Sequence, residues 1–267
     1  MIIAKNLYKK YSYPVKDLEV LLSFFFKKKF KKQLKKNEFY GLENVSFEIK
    51  PFENILILGN KKSGKSTLYG ILSNKIDFDF GDLKCSKSIF ANNFCKFPQN
   101  MLPRASLDNY LDVIIAFNNN IDRIYRGVYI KKKIINFFDI TKKDLNKNFY
   151  DFSAKFHRQI ILYITIFTGH KIYMFDNWPF GLDKDKYTKK IINTFFNKKK
   201  KNICIFVGKF KIYDVQKYMN KIIVLKNGKL ISCKDVNFYN KKSLQKLLQK
   251  YNNQTGDSDF MEIEDDE

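Results

Sequence analysis

Residues 59–67 read Gly-Asn-Lys-Lys-Ser-Gly-Lys-Ser-Thr, a complete G-x-x-x-x-G-K-S phosphate loop. The apolar run 55–58 precedes this loop, and the helix-like stretch 67–74 follows it. Glycines let such a loop turn its backbone N–H groups towards phosphate oxygens, and the helix that follows adds the positive end of its dipole. The spacing and the context therefore predict a nucleoside triphosphate site and leave little weight for a plain glycine turn.

The residues of the loop have separate expected roles. Lys65 is expected to place a positive charge near the β- and γ-phosphates, and the Ser66 hydroxyl is expected to bind Mg²⁺. Lys61 and Lys62 add two charges that would strengthen phosphate binding, although solvated side chains are the simpler interpretation. All nine positions are candidate contacts for the nucleotide: Gly59, Asn60, Lys61, Lys62, Ser63, Gly64, Lys65, Ser66 and Thr67.

The composition indicates a globular chain with a large basic excess. The 267 residues are 45% hydrophobic and 16% aromatic, which suffices for a sizeable core, and the net charge is +23. Only four of the 50 basic residues are arginines. Because arginine is the preferred side chain for bidentate phosphate and base contacts, nucleic-acid binding is not favoured. Contact with anionic lipid head groups fits the lysine-rich charge better.

Zinc-binding and membrane-spanning classes find little support. The four cysteines show no CxxC spacing, and the chain has only two histidines. The longest apolar run, near residues 160–167, is much shorter than a bilayer-crossing helix, and the N-terminus does not resemble a secretory signal. We therefore expect a cytoplasmic protein in which Cys204 is a buried, reduced thiol.

Short apolar strands alternate with helical patterns around the loop. Strand-like patterns occupy residues 2–7, 41–49, 172–176, 202–207 and 222–225. Helical spacing marks residues 107–117, 130–138, 156–167 and 187–196. Asn227-Gly228 is a typical hairpin turn. This alternation predicts an α/β fold with a mostly parallel sheet.

Two segments differ in composition from the rest. Residues 15–37 combine an apolar cluster with a lysine-rich half, which fits two arrangements equally well. The segment is either a helix on an anionic membrane surface or partner, or an amphipathic helix folded onto its own domain. A C-terminal helix is expected over residues 236–254, and the acidic residues 255–267 are expected to form a disordered tail.

Asp176 ends an apolar strand well downstream of the loop, where a carboxylate that holds Mg²⁺ belongs. With this residue the order of features resembles the ATP-binding subunits of ABC transporters. The resemblance is closest to the branch that exports capsule, O-antigen and teichoic-acid polysaccharides. Its best stretches are residues 39–47 (Phe-Tyr-Gly-Leu-Glu-Asn-Val-Ser-Phe), 106–111 and 222–230, and segment 15–37 lies where those exporters carry a similar extension.

The resemblance implies a nucleotide-binding domain over residues 1–235 of the P-loop NTPase type. A RecA-like core would be joined by an N-terminal antiparallel β region and by a helical insertion at about residues 102–168. The implied partners are a membrane-spanning permease and a second nucleotide-binding subunit, identical or different. The implied location is the inner face of the cell membrane, as a peripheral protein.

The resemblance also assigns roles to residues outside the loop. Tyr11 would stack on adenine, and Gln99 would sense both the metal and the transporter. Ser153 would cap the γ-phosphate held by the partner subunit, and Asp183 would contact that subunit. Mg²⁺ would be held by Ser66, Asp176 and Gln99, partly through water.

Three catalytic positions depart from the family. Asn177 stands in place of the glutamate that activates water, and Lys209 stands in place of the switch histidine. The signature reads Ser153-Ala154-Lys155 where the branch has Ser-Gly-Met, while Arg158 matches a downstream arginine. Loss of a general base slows a reaction by about 100- to 10,000-fold. The chain is therefore either a slow or partner-assisted ATPase, or a pseudo-ATPase with a structural or regulatory role.

Two other classes of protein carry the same phosphate loop. Soluble ABC proteins that act on nucleic acid or ribosomes usually join two such domains, whereas this chain shows one loop and no internal repeat. A P-loop kinase is disfavoured by the terminal hairpin and by the order of the downstream motifs. Trp178, next to Asn177, is expected to be a packing residue.

Overall fold

The computed structural model describes residues 1–12, 38–86, 88–93, 105–117, 124–176, 185–208 and 210–252. The chain divides into two compact units. The first comprises Met1–Ile49, Leu56–Cys85 and Asn220–Glu267, and the second comprises Lys50–Ile55 and Ser86–Met219. Several predictions fall outside the described residues: the segment 15–37, the tail 255–267, Gln99, Asn177, Trp178, Asp183 and Lys209.

Strands and helices alternate along the described residues. The strands are β1 (Ile2–Ser12), β2 (Glu38–Ile49), β3 (Asn54–Gly59), β4 (Phe80–Lys84), β5 (Ile89–Asn93), β6 (Ile172–Asp176), β7 (Ile203–Val207), β8 (Lys221–Lys226) and β9 (Lys229–Asp235). The helices are α1 (Lys65–Leu72), α2 (Leu107–Phe117), α3 (Ile124–Phe137), α4 (Lys142–Leu145), α5 (Ala154–Thr165), α6 (Lys186–Lys198), α7 (Ile212–Tyr218) and α8 (Lys241–Asn252). Each strand and helix predicted from local patterns before residue 236 is present, with ends shifted by up to six residues.

The first unit contains an antiparallel sheet in which β1 lies between β2 and β4. Ile2 pairs with Ile49 at one end of β1, and Tyr11 pairs with Phe39 at the other. Side chains such as Ile2, Leu7 and Ile49 are fully buried. Burial of one face of the sheet accounts for the alternation of apolar and polar residues in β2. The antiparallel N-terminal region predicted from the sequence is thus confirmed.

A hairpin formed by β8 and β9 also belongs to the first unit. Lys226 pairs with Lys229, and the two residues between them have positive φ, 50° at Asn227 and 76° at Gly228. Asn-Gly is the pair that tight hairpin turns with two positive φ angles favour. After β9, a 3₁₀ turn at Val236–Phe238 separates the sheet from α8, which buries Leu244, Leu248 and Tyr251.

Three neighbouring strands of the second unit, β5, β6 and β7, pair in parallel. The first four residues of β6 and all five of β7 are buried, as expected of parallel strands covered on both faces. Phe175 stacks on Phe206 with ring centroids 5.4 Å apart, and Phe195 of α6 packs edge-on against Phe175. Cys204 is fully buried as predicted, and burial raises the pKa of its thiol, which therefore stays protonated.

Helices α2 to α5 lie between β5 and β6 along the chain. Lys131 of α3 forms ion pairs of 2.8 Å with both Asp108 and Asp112, which lie one turn apart on α2. Within the described part of the chain, no helix has both the length and the apolarity required to cross a bilayer.

The N-terminus of α6 is held by one carboxylate. Asp185 Oδ2 accepts hydrogen bonds from the Thr188 backbone N–H at 3.0 Å, from the Thr188 hydroxyl at 3.0 Å and from Gln159 Nε2 of α5 at 2.5 Å. Burial acts to raise the pKa of Asp185, but these hydrogen bonds and the nearby Lys155 charge outweigh it and lower the pKa overall. The carboxylate therefore links α5 to α6 in its ionised form.

Replacing Asp185 by alanine is expected to lower the free energy of unfolding by about 1–3 kcal/mol, because α6 loses its cap and the buried Gln159 amide loses an acceptor. A carboxylate with a lowered pKa stabilises the fold above its unfolded value of about 3.9, and this contribution disappears as the pH falls through the folded-state pKa. Urea unfolding should therefore show a gap between wild type and Asp185→Ala at neutral pH that closes at acid pH. Asp77→Ala, at an exposed carboxylate, is the control; a gap that persists unchanged at acid pH would contradict the assignment.

Candidate functional site

The phosphate loop runs from the end of β3 to the start of α1 and opens with a tight turn. Ser63 N donates to Asn60 O at 3.1 Å, and Lys62, the third residue of the turn, has φ 63°. Positive φ at this position is typical of a type II turn, which favours glycine or asparagine. A left-handed backbone costs a residue such as lysine about 1–2 kcal/mol.

Gly64 is required by both its conformation and its surroundings. Its φ is 100°, and a Cβ at this residue would lie 2.5 Å from the carbonyl oxygen of Gly41 and 3.3 Å from the Cα of Gly228. The loop backbone therefore packs directly against β2 and against the β8–β9 turn. Only glycine allows both contacts while the chain turns into α1.

The β8–β9 turn ties the loop to β2 through backbone hydrogen bonds. Gly228 N donates to Ser63 O at 3.0 Å, and Glu43 N donates to Gly228 O at 2.8 Å. The side chains of Lys229 and Glu43 add an ion pair of 3.3 Å. Ser63 itself is buried. The loop is thus held by contacts that are distant in sequence, which is the pre-organisation that anion binding by backbone N–H groups requires.

Lys65 lies across the loop that precedes it. Its Nζ donates to the carbonyl oxygens of Gly59 at 2.6 Å and Asn60 at 2.8 Å. The next residue, Ser66, is exposed at the first turn of α1, which is where a hydroxyl can reach a metal ion. The charge and the hydroxyl expected from the motif are therefore both presented at the helix N-terminus.

Tyr11 lies beside the same loop. Its ring stacks on Phe39, with centroids 5.7 Å apart, and Lys9 Nζ is 5.8 Å from its centroid. A Cβ on Gly41 would collide with the Tyr11 ring and would lie 3.1 Å from Thr67 Oγ1. Tyr11 and the start of α1 therefore flank one glycine, and the first unit brings an aromatic face and the phosphate loop together.

These residues fit a nucleoside triphosphate and a metal ion. Asn60 Oδ1 is buried and has no hydrogen-bonding partner among the described residues, so one polar position of the loop is left for a ligand or water. The loop offers donors and a cation for phosphates, Tyr11 offers a face for a base, and Ser66 offers an oxygen for Mg²⁺. The donor set therefore matches the ligand that the motif predicts.

The second unit holds Asp176 at the carboxyl end of β6. In the parallel sheet it is flanked by Asn93 of β5 and Val207 of β7. Gly208, with φ 139°, follows β7 directly. Ligands of open α/β sheets bind outside the carboxyl ends of the strands, so Asp176 lies at the edge where a metal ligand is expected.

Ser153 is the N-cap of α5. Its hydroxyl accepts a hydrogen bond from Phe156 N at 3.2 Å, and Ser153, Ala154 and Lys155 are all exposed. The N-terminus of this 12-residue helix therefore faces solvent, and its partial positive charge suits an anion. The exposure fits the role that the resemblance gives to Ser153.

His157 anchors the start of α5. The ring is buried, stacks on Phe149 at 3.9 Å, and its Nε2 lies 2.8 Å from Phe149 O. Burial lowers the pKa of His157, more than the hydrogen bond to the carbonyl raises it, so the ring is neutral at physiological pH. His157 therefore positions the segment that carries Ser153.

Three residues of the site do not follow from the loop motif. Phe39 supports the Tyr11 ring, and Gly41 and Gly228 allow the loop to approach the strands. A glycine within an alternating strand indicates close approach of another part of the chain. This sequence feature could have predicted the packing at Gly41. Nothing in the sequence links Gly228 to a loop about 160 residues away.

Replacing Gly41 by valine is expected to push the Tyr11 ring aside and lower the affinity for ATP about tenfold, because a base that stacks on an aromatic ring contributes about that factor. Overpacking should also lower the free energy of unfolding by about 1–3 kcal/mol. Equilibrium binding and urea unfolding test both effects. Gly169→Val is the matched control, since a Cβ there meets nothing within 4 Å. Gly41→Val behaving like Gly169→Val in both assays would contradict the packing described.

Comparison with known proteins is consistent with this site. The model of the ABC transporter family matches residues 42–179, slightly more than half of the chain. A putative ABC transporter ATP-binding protein of Sulfurisphaera tokodaii is 28% identical over 207 residues. The match covers 72% of this chain and 43% of that protein, so the chain spans less than half the length of this curated relative.

Solved structures show the same fold. An ATP-binding subunit of an ABC transporter has a TM-score of 0.62 at 13% identity, over 94% of this chain and 99% of the other. A dimeric ATP-binding cassette in a post-hydrolysis state with ADP and Pi has a TM-score of 0.61 at 17% identity, over 88% and 99%. At these identities the likeness concerns the fold, which is that of an ABC cassette. Together with the family match, it shows that the chain belongs to the ABC transporter family.

Proposed function

We propose that this chain is the ATP-binding subunit of an ABC transporter and binds ATP with Mg²⁺ at the loop 59–67. One observation carries the proposal: the first unit assembles the pre-organised loop, the Lys65 ammonium and the Tyr11 ring around Gly41. A triphosphate needs the donors and the cation, and adenine needs the aromatic face. No single element of this arrangement would be as informative alone.

Each residue has a role in this proposal. The loop N–H groups and Lys65 hold the phosphates, and the Tyr11 ring holds the base. Ser66, Asp176 and Gln99 hold the metal ion, partly through water. Bound Mg²⁺ would neutralise phosphate charge that this chain's lysines leave unbalanced.

Two subunits would close around ATP in this proposal. Ser153 at the exposed N-terminus of α5 would cap the γ-phosphate bound by the partner subunit, and Asp183 would contact that subunit. A homodimer would carry the same departures at both sites, whereas a heterodimer with a different second subunit could keep one competent site.

Hydrolysis would be weak in such a dimer. Asn177 cannot accept a proton as glutamate does, and Lys209 lacks the donor and acceptor pair of a neutral imidazole. Ala154 replaces a glycine of the signature. A second candidate follows from the same residues: a pseudo-ATPase that binds ATP and dimerises without turnover.

The cargo would be a cell-surface polysaccharide, passed through a membrane-spanning permease. The resemblance to polysaccharide exporters and the basic amphipathic segment 15–37 support this part of the proposal. The subunit would then lie at the cytoplasmic face of the membrane.

Isolation of the tagged chain from detergent-solubilised native membranes tests the transporter assignment. The expected result is a co-purified protein with several apolar spans, retained at high salt and reduced when Lys65→Ala weakens ATP-driven closure. Recovery from the soluble fraction with RNA that is released steeply by salt would instead support a nucleic-acid-associated ABC protein and would contradict the proposal.

A further inference from the structure

Lys62 occupies a backbone position that is unusual for a lysine. Seven non-glycine residues among those described have positive φ, and four of them are asparagines. Asparagine tolerates this conformation, as glycine does. Lys62 is the third residue of the Asn60–Ser63 turn and has φ 63°. It is the one lysine among these seven residues. Local conformational preference therefore does not account for a lysine here.

Packing does not account for Lys62 either. Its side chain is exposed, and no hydrogen bond, ion pair or ring contact joins it to another described residue. Other lysines of the first unit do have such partners, for example Lys9 with Asp79 at 3.2 Å and Lys229 with Glu43 at 3.3 Å. The contacts among the described residues therefore show no structural role for the Lys62 side chain.

The position places a second positive charge at the mouth of the loop. Lys65 Nζ lies against the carbonyl oxygens of Gly59 and Asn60, within the loop. Lys62 lies three residues earlier and is exposed, so its flexible stem leaves its ammonium free to approach an anion from the solvent side. The terminal phosphate is the part of a triphosphate that carries the additional negative charge.

We propose that Lys62 is a specificity-determining residue that adds a second cation to the phosphate loop and makes the site prefer nucleoside triphosphates to diphosphates. The inference rests on the proposed function, because it requires nucleotide at this loop. An exposed charge near a phosphate is screened by salt, so its contribution is modest and depends on ionic strength.

The Lys62→Gly variant separates the two effects of this residue. Glycine has no Cβ, so it adopts the positive φ of this position without strain, and it removes the charge. We expect the variant to unfold at higher urea concentration than wild type, yet to bind ATP about fivefold more weakly. Binding of ADP should change less than twofold, and the loss for ATP should shrink at high salt.

Equilibrium binding of ATP and ADP with Mg²⁺ is measured for wild type, Lys62→Gly, Lys62→Asn and Lys75→Ala. Lys62→Asn also removes the charge, and asparagine tolerates the positive φ of this position. This variant replaces Lys62→Gly in the comparison if Lys62→Gly folds poorly. Lys75→Ala removes an exposed lysine beyond the other end of α1, about 12 Å away along the helix.

The outcomes differ in sign. Weaker ATP binding by both Lys62 variants, with ADP binding and Lys75→Ala near wild type, supports the proposal. Unchanged or tighter ATP binding overturns it, because Lys62 would then be only a strained turn residue. If wild type binds neither nucleotide, the proposed function is overturned and this inference with it. If wild type binds ATP and the two Lys62 variants bind ATP with the same affinity, the inference alone is overturned.

Discussion

Replacing Asn177 by glutamate is expected to raise the rate of ATP hydrolysis by about 100- to 10,000-fold, the usual contribution of a positioned general base. The residue follows Asp176, which ends β6 at the edge of the sheet where the metal is expected. Asparagine cannot take a proton from the attacking water, whereas glutamate, which is one methylene longer, has a carboxylate that can. Phosphate release from the purified chain under saturating ATP and Mg²⁺ measures the effect.

Two variants control this experiment. Asn177→Gln has the length of glutamate without a base, so it should hydrolyse ATP no faster than wild type. Asn177→Glu combined with Lys65→Ala should lose the gain, since turnover would still require the loop. Equal rates for Asn177→Glu and Asn177→Gln would contradict the assignment of position 177 as the site of the missing base.

Replacing Lys65 by alanine is expected to weaken ATP binding by about 10- to 100-fold, because charge-assisted hydrogen bonds to phosphate are lost. Lys65 Nζ already lies at the loop, in contact with the Gly59 and Asn60 carbonyl oxygens, so little rearrangement is needed to reach a phosphate. The fold itself should change little. Equilibrium dialysis with labelled ATP measures the affinity, and urea unfolding confirms that the variant is folded.

Lys75→Ala is the matched control for this prediction as well. It removes one exposed lysine near α1 without touching the loop. If Lys65→Ala and Lys75→Ala bind ATP with equal affinity, the loop is not the nucleotide site and the roles given to Ser66 and Tyr11 fall with it.

Local features of the fold were predictable because neighbouring residues decide them. The loop, β6 and the Asn227-Gly228 turn each depend on a few consecutive residues. The ends of longer elements were less predictable. β1 was expected to end at Leu7, but pairing with β2 carries it to Ser12, whereas its pairing with β4 ends at Tyr8. α7 and β4 are too short for a clear periodic pattern, and tertiary contacts define them.

The arrangement of the site depended on contacts distant in sequence. Gly41 and Gly228 approach the loop from strands far along the chain, which a single sequence does not reveal. The Asn60–Ser63 turn is local, but a lysine does not indicate a positive φ. The backbone conformation of Lys62 was therefore not predictable from the sequence. The roles of Asn177, Asp183, Lys209 and Gln99 remain predictions from resemblance, since these residues lie outside the described part of the chain.

Direct titration of the purified chain with ATP and Mg²⁺ tests the central claim, that the loop 59–67 binds nucleotide. We predict saturable binding of one ATP per chain, displaced by an excess of ADP and strongly weakened by Lys65→Ala. Absence of saturable binding at millimolar ATP, in a chain shown to be folded by its cooperative unfolding, would contradict the account.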